Sequence, residues 1–317
     1  MIYTITLNPA VDRELTVPTI EFNTVLRASQ WRVDCGGKGF NVSRMLRALG
    51  TPSTALGFAG GRAGELLCDG LEAQGIQTDF VWVDGETRTN VSIVSESHDH
   101  YVKANEPGPQ IAPEAVEKLV AQVKRLARAG DWWVLAGSLP PGVPAGIYAD
   151  LIAIVQQAGA QAILDTSGAA LAAGVAARPF LVKPNDVEAG QLTGLPVTSR
   201  AEVAAAAQAI QAMTAGHVVI SLGKDGALLA DGQQTLVAAS PSIEEQNPIG
   251  AGDSLVGGLV WGLHKGLPLA EALCWGVACG AATASMGGTA VGSRQLVASL
   301  RQQVVTAPFE QNTDNTA

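Results

Sequence analysis

The sequence has little charge, few aromatic residues and few cysteines. Charged residues make up 15% of its 317 residues and aromatic residues 5%, whereas about 25% charged residues is usual. Small and apolar residues must therefore cover much of the surface, and we expect part of it to be shared with a partner. The formal net charge of −9 argues against the basic surface that nucleic acids and anionic membranes require. We expect neither as a partner.

Signals for export, membrane insertion and metal binding are also missing. The N-terminus runs directly into the apolar residues 2–7 without a basic region. The long apolar run 269–286 contains Glu271 and many small residues, which favours a buried helix. The cysteines show no metal-ligand spacing and are expected to be free thiols: Cys35, Cys68, Cys274 and Cys279. We expect a cytoplasmic protein.

Strand-like and helical segments alternate along most of the chain. Apolar runs typical of buried strands are separated by helical stretches and lie at residues 4–7, 132–136, 162–164, 180–182 and 218–222. This alternation predicts an α/β fold, in which helices cover both faces of a mostly parallel sheet. Because no linker or repeat interrupts it, we predict one domain over residues 1–310 and a disordered tail at 311–317.

Two segments depart from this alternation and predict a second, smaller sheet. Residues 13–33 and 80–103 show long stretches of period-two alternation without a helix between them. In the second segment, Ser97, His98 and Asp99 would form the turn of a projecting hairpin.

The predicted hairpin carries polar residues on one strand face. Arg88, Asn90 and Ser92 share one face of a predicted strand, and residues 89, 91 and 93 share the other. Lys103 lies on the returning strand. Arg88 and Lys103 could therefore converge on an anion. Exposed cations on an edge hairpin are, however, more often solvated residues that prevent aggregation.

A glycine turn with an adjacent carboxylate is the most informative motif. Gly250, Ala251 and Gly252 precede Asp253, and apolar residues at helical spacing follow over 255–263. The first amides of such a helix bind anions. A carboxylate placed there either caps the helix or takes a proton from a hydroxyl that attacks a phosphate.

A second glycine turn lies at residues 36–41 and also precedes a helical apolar stripe. Lys38 adds a positive charge, and Asn41 can both donate and accept, so the turn can hold a phosphorylated or polyhydroxylated molecule. It is not a P-loop, since no Gly-x-x-x-x-Gly-Lys-Ser/Thr occurs. Residues 8–12 also lack the Gly-x-Gly-x-x-Gly that a dinucleotide-binding fold carries after its first strand, which argues against a nicotinamide-dependent dehydrogenase.

Three further polar motifs follow predicted strands, at the edge where open α/β sheets bind ligands. They lie at residues 137–140, 183–188 and 221–226. Asn185 and Glu188, three apart at a helix start, suit Mg²⁺ held through water, although a helix cap explains the pair almost as well. The glycines of 221–226 leave room for a nucleotide phosphate or form a tight turn.

In order and content, six of these segments resemble the PfkB branch of the ribokinase-like sugar kinases: 8–12, 36–41, 137–140, 183–188, 221–226 and 250–254. The resemblance spans nearly the whole chain. It implies a ribokinase-like three-layer α/β/α sandwich with a small β-sheet lid, and ATP and Mg²⁺ as cofactors. Residues 6–12 and 105–109 are similar to the subgroup of 1-phosphofructokinases and tagatose-6-phosphate kinases.

The resemblance also implies roles for individual residues. Asp253 matches the catalytic base, and Gly250, Ala251 and Gly252 match the anion hole. Substrate-binding positions are matched by Asp12, Gly37, Lys38, Asn41, Arg88, Asn90, Lys103 and Ser138. Nucleotide-binding positions are matched by Lys183, Asn185, Ser221, Gly223 and Gly226, and the metal-organising pair by Asn185 and Glu188. The small sheet matches a lid that closes on the sugar and often pairs across a homodimer.

The sequence departs from the family pattern at the sugar site. Val25 stands where some 6-phosphofructokinases have a substrate-binding lysine, and Arg27, two residues along a predicted strand, could point to the same face instead. Lys103 replaces an arginine found in some relatives and loses its bidentate fork for phosphate.

The expected reaction is ATP-dependent phosphorylation of a ketohexose phosphate, with fructose 1-phosphate converted to fructose 1,6-bisphosphate. Tagatose-6-phosphate kinase and 6-phosphofructokinase are the alternatives. A non-catalytic sugar-phosphate sensor is an alternative of another class, and the intact Asp253 with its glycine turn argues against it.

Overall fold

The computed structural model describes residues 1–97, 100–214, 216–288 and 290–309. The strands are β1 (Ile2–Thr6), β2 (Ala10–Val17), β3 (Gln30–Gly36), β4 (Thr54–Ala59), β5 (Gln77–Trp82), β6 (Arg88–Ser95), β7 (Tyr101–Asn105), β8 (Trp132–Ala136), β9 (Gln161–Asp165), β10 (Leu181–Val182), β11 (His217–Ser221), β12 (Ala227–Ala230), β13 (Thr235–Ala238) and β14 (Thr306–Pro308). The helices are α1 (Lys38–Ala48), α2 (Gly61–Glu72), α3 (Pro113–Leu126), α4 (Ile147–Gln157), α5 (Gly168–Ala176), α6 (Asp186–Thr193), α7 (Arg200–Thr214), α8 (Ala251–His264), α9 (Leu269–Ala284) and α10 (Arg294–Arg301).

A ten-stranded sheet forms the middle layer, in the order β14-β13-β12-β11-β10-β9-β8-β1-β4-β5. The seven strands from β11 to β5 are parallel, and β12, β13 and β14 extend the sheet antiparallel. Because the inner parallel strands are buried on both faces, they read as largely apolar runs, whereas β5 at the edge is partly exposed and alternates. The predicted mostly parallel sheet is confirmed.

Helices cover both faces of this sheet, and the side chains of the strands pack into two separate cores, one on each face. In β8, Trp133 and Leu135 pack into one core, whereas Val134 and Ala136 pack into the other, as the period of two requires. The first core also contains apolar residues of α3, α4, α5 and α7, and the second those of α1, α8, α9 and α10. The three-layer α/β/α prediction is confirmed.

A four-stranded sheet of order β3-β2-β6-β7 lies apart from the large one. The segments predicted for it, 13–33 and 80–103, overlap these strands, but the bounds differ. The strands begin at Ala10 and end at Asn105, whereas Phe80 to Trp82 belong to β5 of the large sheet. Alternation alone does not distinguish an edge strand of one sheet from a strand of the other.

Two predicted features lie outside the described residues: part of the hairpin turn, at His98 and Asp99, and the tail at 311–317. Across the described part of the chain, none of the helices has the length and apolar character needed to cross a bilayer.

Candidate active site

The candidate site lies at the carboxyl edge of the parallel strands. There β9 ends at Asp165, β10 is followed by Lys183, and β11 ends at Ser221. The N-termini of α1 and α8 reach the same edge and bring Lys38 and Asp253 to it. Ligands of open α/β sheets bind at this edge, because the loops that follow the strands converge there.

Asp253 lies in the first turn of α8 and is 8% exposed. Gly250 is the N-cap, with φ 80° and ψ −4°, a left-handed conformation that favours glycine. The Asn41 Nδ2 atom donates a hydrogen bond to Asp253 Oδ2 at 2.8 Å. The two predicted glycine turns therefore meet, although 212 residues separate Asn41 from Asp253 in the sequence.

The predicted anion hole is only partly open in this conformation. The Ala251 amide donates to the Pro248 carbonyl at 3.1 Å and closes a turn. Among the described residues, the amides of Gly250, Gly252 and Asp253 have no acceptor. These amides and the positive end of the α8 dipole can stabilise negative charge.

Sequence reasoning missed Asp165, the central anion of the site. Its Oδ1 atom lies 2.8 Å from Lys38 Nζ and 3.4 Å from Lys183 Nζ, and its side chain is 1% exposed. Its Oδ2 atom is buried without a hydrogen-bond partner. A carboxylate at the end of a buried strand was the signal that could have identified it.

The two carboxylates of the site have opposite pKa shifts. Burial raises the pKa of Asp253, the nearby Asp165 raises it further, and it reaches about 6 despite the lowering effect of Lys38, Asn41 and Lys183. Burial alone would raise the pKa of Asp165, but Lys183 and Lys38 hold it below its ordinary value. Asp165 thus stays ionised, while Asp253 is a stronger base than an ordinary aspartate.

Asp12 and Asn90 are held together on the polar face of the four-stranded sheet. They are partners in the β2–β6 register, and Asn90 Nδ2 donates to Asp12 Oδ1 at 2.8 Å. Gly36 lies beside them, and a Cβ atom there would overlap the Asp12 carboxylate. Gly37 has φ 148°, which lets the chain turn from β3 into α1. The predicted sugar-contacting residues of the two segments are therefore neighbours.

Arg88 contacts the backbone at the base of the four-stranded sheet, which is the predicted lid. Its three nitrogens donate to main-chain carbonyls of Asn8 (2.9 Å), Pro9 (3.4 Å) and Glu106 (3.0 Å). Asn8 Nδ2 in turn donates to the Pro107 carbonyl at 3.1 Å and to Ser138 Oγ at 3.4 Å. Arg88 and Ser138 thus belong to one network that joins the lid to the large sheet.

Lys103 and Arg27 are more exposed than the other predicted residues. Lys103 lies opposite Ser92 in the β6–β7 register, on the same face as Asn90 and Arg88. The prediction that Arg27 lies along a strand is wrong. It is exposed in the loop between β2 and β3, because the chain leaves the sheet after Val17 and returns only at Gln30.

A cavity of about 490 Å³ opens beside Gly252. Its lining includes Ser221, Gly223 and Gly226, three of the predicted nucleotide-binding residues. Apolar walls come from Ile243, Leu255, Val277 and Ala281. This size and mixed lining suit a nucleotide. Lys183 and Asn185 do not line the cavity: Lys183 is buried against Asp165, and Asn185 pairs with Ser221 in an isolated β-bridge.

Asn185 and Glu188 form a capping box at the start of α6. Glu188 N–H donates to Asn185 Oδ1 at 2.7 Å, and Asn185 N–H donates to Glu188 Oε2 at 2.9 Å. No cluster of three or more His, Cys, Asp or Glu side chains able to hold a metal occurs in the described ranges. Magnesium that arrives with a nucleotide needs only one or two carboxylates and keeps several waters. Glu188 keeps its second oxygen available and therefore fits such an ion.

A buried basic carboxylate, open helix-start amides and an adjoining nucleotide-sized cavity define an enzyme that transfers a phosphoryl group to a hydroxyl. Comparison with known proteins agrees. The sequence matches the pfkB family carbohydrate kinase description over residues 3–295. The chain belongs to this family, and it is an ATP-dependent sugar kinase that uses Mg²⁺.

Individual relatives cover most of the chain. The 1-phosphofructokinase of Bacillus subtilis is 38% identical, with 90% of this chain and 92% of the relative covered. That of Xanthomonas campestris is 40% identical, with 81% and 82% covered. The solved structure of Escherichia coli phosphofructokinase-2 in complex with fructose-6-phosphate has a TM-score of 0.89 at 32% identity, with 95% and 98% covered. Arabidopsis thaliana ribokinase, at 20% identity and a TM-score of 0.76, shares the fold.

Proposed function

We propose that this enzyme transfers the γ-phosphoryl group of ATP to the free primary hydroxyl of fructose 1-phosphate, giving fructose 1,6-bisphosphate and ADP. The observation that carries the proposal is the buried Asp253 carboxylate beside the open amides of Gly250 and Gly252, at the edge of the 490 Å³ cavity. The relatives named 1-phosphofructokinase support the choice of sugar.

Asp253 acts as the general base. Because its pKa is raised only to about 6, the carboxyl is mostly ionised at neutral pH and can accept the proton of the attacking hydroxyl. The sugar oxygen then bonds to the γ-phosphorus while the bond from phosphorus to the bridging oxygen of ADP breaks. The proton rests on Asp253 until the product leaves.

The N-terminus of α8 stabilises negative charge on the phosphoryl group during its transfer. Amides of Gly250 and Gly252 have no acceptor in the described structure and lie at the N-terminus of α8, the positive end of its dipole. Lys38, held by Asp165, adds a fixed positive charge on the same side. Glu188 would help to hold Mg²⁺, which would neutralise nucleotide phosphate charge when bound.

The polar face of the lid supplies the sugar site. Asp12 and Asn90 present a carboxylate and an amide that suit sugar hydroxyls. Lys103 is an exposed cation on the same face and is the residue we assign to the sugar phosphate. Arg88 lies at the base of the lid and Ser138 follows β8 of the large sheet, so closure would bring both to the substrate from opposite sides of this junction.

Two other sugars remain candidates. The fructose-6-phosphate complex of the Escherichia coli neighbour favours a 6-phosphofructokinase activity as the second candidate. Val25 is exposed in the loop between β2 and β3 and offers no charge to a phosphate there. Tagatose 6-phosphate would place the same groups in nearly the same pocket. A non-catalytic sensor is disfavoured, because it has no need of a base with a raised pKa.

A coupled ADP-release assay tests these alternatives directly. The substrates are fructose 1-phosphate, fructose 6-phosphate, tagatose 6-phosphate and the unphosphorylated sugars. We expect the highest kcat/KM for fructose 1-phosphate. Asp253→Asn should lower kcat by about 10²–10⁴-fold. A higher kcat/KM for another sugar would reassign the substrate, and no turnover with any of them would favour the sensor.

We also propose a homodimer formed through the lid. Opposite its polar face, the four-stranded sheet carries an apolar face that includes Leu15, Trp31, Ile93 and Val102. Trp31 is 71% exposed and Val102 44% exposed. An exposed apolar sheet face of this kind is typical of a protein interface, and a second copy would cover it by symmetry.

A cytoplasmic location fits an enzyme that acts on ATP and phosphosugars.

A further inference from the structure

Arg44 is a buried cation without a carboxylate partner. It is 8% exposed, and among the described residues no Asp or Glu oxygen lies within 4.0 Å of its guanidinium nitrogens. Its Nε atom is buried without an acceptor. An unpaired buried guanidinium costs stability, so stabilising the fold does not explain why this residue is an arginine.

Arg44 has a side-chain hydrogen bond with Cys35, and its hydrogen bond to Asn41 leads to the catalytic carboxylate. Arg44 Nη1 donates to Asn41 Oδ1 at 3.1 Å, and Asn41 Nδ2 donates to Asp253 Oδ2 at 2.8 Å. Arg44 lies three residues after Asn41 on α1, on the same side of the helix. Because a guanidinium can only donate, it must meet the amide oxygen, and the NH₂ group is left facing Asp253.

We propose that Arg44 is a positioning residue, which fixes the orientation of the Asn41 side chain so that its NH₂ group donates to the base. The proposal rests on the assignment of Asp253 as the base in the function proposed above. Without Arg44, the amide could turn over and present its oxygen to Asp253. The ionised carboxylate would then lose a donor, and the protonated carboxyl would gain an acceptor.

Other charged groups also face Asp253, and they define the background for this effect. Asp165 at the end of β9 favours the protonated form, whereas Lys38 on α1 and Lys183 after β10 favour the ionised form. Asp12 and Cys35 line a small cavity together with Arg44. Burial raises the pKa of the Cys35 thiol, so it stays neutral through the acid range. None of these groups is changed in the variants below.

The test compares Arg44→Met with Arg44→Gln. Both side chains are neutral and of similar size, but only glutamine carries a donor for Asn41 Oδ1. We expect Arg44→Met to lower kcat/KM about tenfold near pH 6 and less than about twofold near pH 8.5, with KM for ATP unchanged. Arg44→Gln and Arg44→Lys should keep most of the wild-type profile. Arg47→Met, at an exposed position of the same helix, is the control.

A second readout does not depend on turnover. The ¹³C shift of the Asp253 carboxyl, assigned by its loss in Asp253→Asn, is followed against pH in the ligand-free protein. The titration midpoint should move upward in Arg44→Met and remain in place in Arg44→Gln. Asn41→Leu removes the donor itself, so it should also move the midpoint upward, and adding Arg44→Met to it should have no further effect.

The outcomes separate the proposal from the one on which it rests. If Asp253→Asn keeps normal turnover, the assignment of the base is wrong. If Asp253→Asn is inactive while the Arg44→Met midpoint and pH profile equal those of wild type, only the role of Arg44 is wrong. If the titration midpoint of Asp253 shifts equally in Arg44→Met and Arg44→Gln, the effect comes from the lost charge. The positioning role of Arg44 would then be wrong.

Discussion

At the scale of the residue, the site depends on two buried carboxylates that differ in proton affinity. Asp165 is kept ionised by two ammonium groups, and Asp253 is kept basic by burial and by Asp165. Pairs of acids whose environments separate their pKa values are a common way to assign different roles to the same chemical group. Here one acid holds the lysines, and the other is available for proton transfer.

The raised pKa of Asp253 implies a cost in stability that depends on pH. Its pKa lies above the ordinary value of 3.8 and reaches about 6 in the folded protein. The folded state therefore holds this proton more tightly, and stability falls as pH rises through that range. We expect Asp253→Asn to be more stable than wild type at pH 8 by about 2–3 kcal/mol, and by much less at pH 4. Thermal unfolding at both pH values measures this difference, and an equal change at both would contradict it.

Gly36 makes a second prediction at this scale. A methyl group there would overlap the Asp12 carboxylate and displace it from Asn90. Gly36→Ala should therefore reduce kcat/KM for the sugar by about tenfold to a hundredfold, with little change in KM for ATP. Gly146→Ala is the matched control, because a Cβ atom at Gly146 has no neighbour within 4 Å. Equal losses in the two variants would show that the Asp12 contact is irrelevant.

Part of this site could be predicted from single residues and part could not. Asp253 and Asn41 carry local signals, because each follows a glycine turn and lies at the start of a helix. Asp165 has no such motif, and its importance comes from Lys38 and Lys183, which are far away in sequence and are brought together by the strand order. The roles assigned to the site residues stay predictions until the variants are measured.

At the scale of the element, the lid is joined to the large sheet by side chains as well as by the chain. Arg88 ties the backbone before β2 to the backbone after β7 through three carbonyls. Glu106 adds a bond from Thr89 N–H to its Oε2 atom at 2.8 Å. The segment before β2 and the segment after β7 are therefore linked to each other, and they would have to bend together if the lid closes as proposed.

This linkage distinguishes Arg88 from Lys103. Arg88→Met should lower the unfolding free energy by about 1–3 kcal/mol, since three backbone acceptors lose a charged donor, and it should also raise KM for the phosphosugar. Lys103→Met removes an exposed cation and should raise KM for the phosphosugar without changing the melting temperature. Steady-state kinetics and thermal unfolding of both variants check this. An unchanged KM in Lys103→Met would make Lys103 an ordinary solvated residue.

The strands and helices could be predicted where burial gives their apolar residues a regular spacing in the sequence. Strands buried on both faces, such as β8 and β9, read as short apolar runs, and the helices between them end at glycine or proline. The lid bounds were less accurate, because β5 has the same alternating pattern as a lid strand. The loop that contains Arg27 resembles a strand in sequence, and only tertiary pairing shows that it is not one.

At the scale of the whole molecule, the exposed apolar face of the lid predicts association. Trp31→Ser should convert the proposed dimer to a monomer, or weaken it by at least about tenfold, because a large aromatic residue at an interface often contributes 2 kcal/mol or more. Sedimentation equilibrium measures the change. Trp82→Ser, at an exposed tryptophan on β5 of the large sheet, is the matched control. A monomeric wild-type protein would contradict the proposal.

The arrangement of Lys38, Lys183, Asp165 and Asp253 has a consequence for the charge of the site during the reaction. With both acids ionised, two cations and two anions cancel, so the resting cluster is neutral. When Asp253 takes the proton of the sugar hydroxyl, the cluster gains one positive charge, next to the phosphoryl group to which the sugar oxygen is bonding. The proton on Asp253 thus keeps a positive charge beside the phosphoryl group while that group is transferred. Its release with the product returns this four-residue cluster to neutrality, so the cluster itself no longer attracts the sugar bisphosphate.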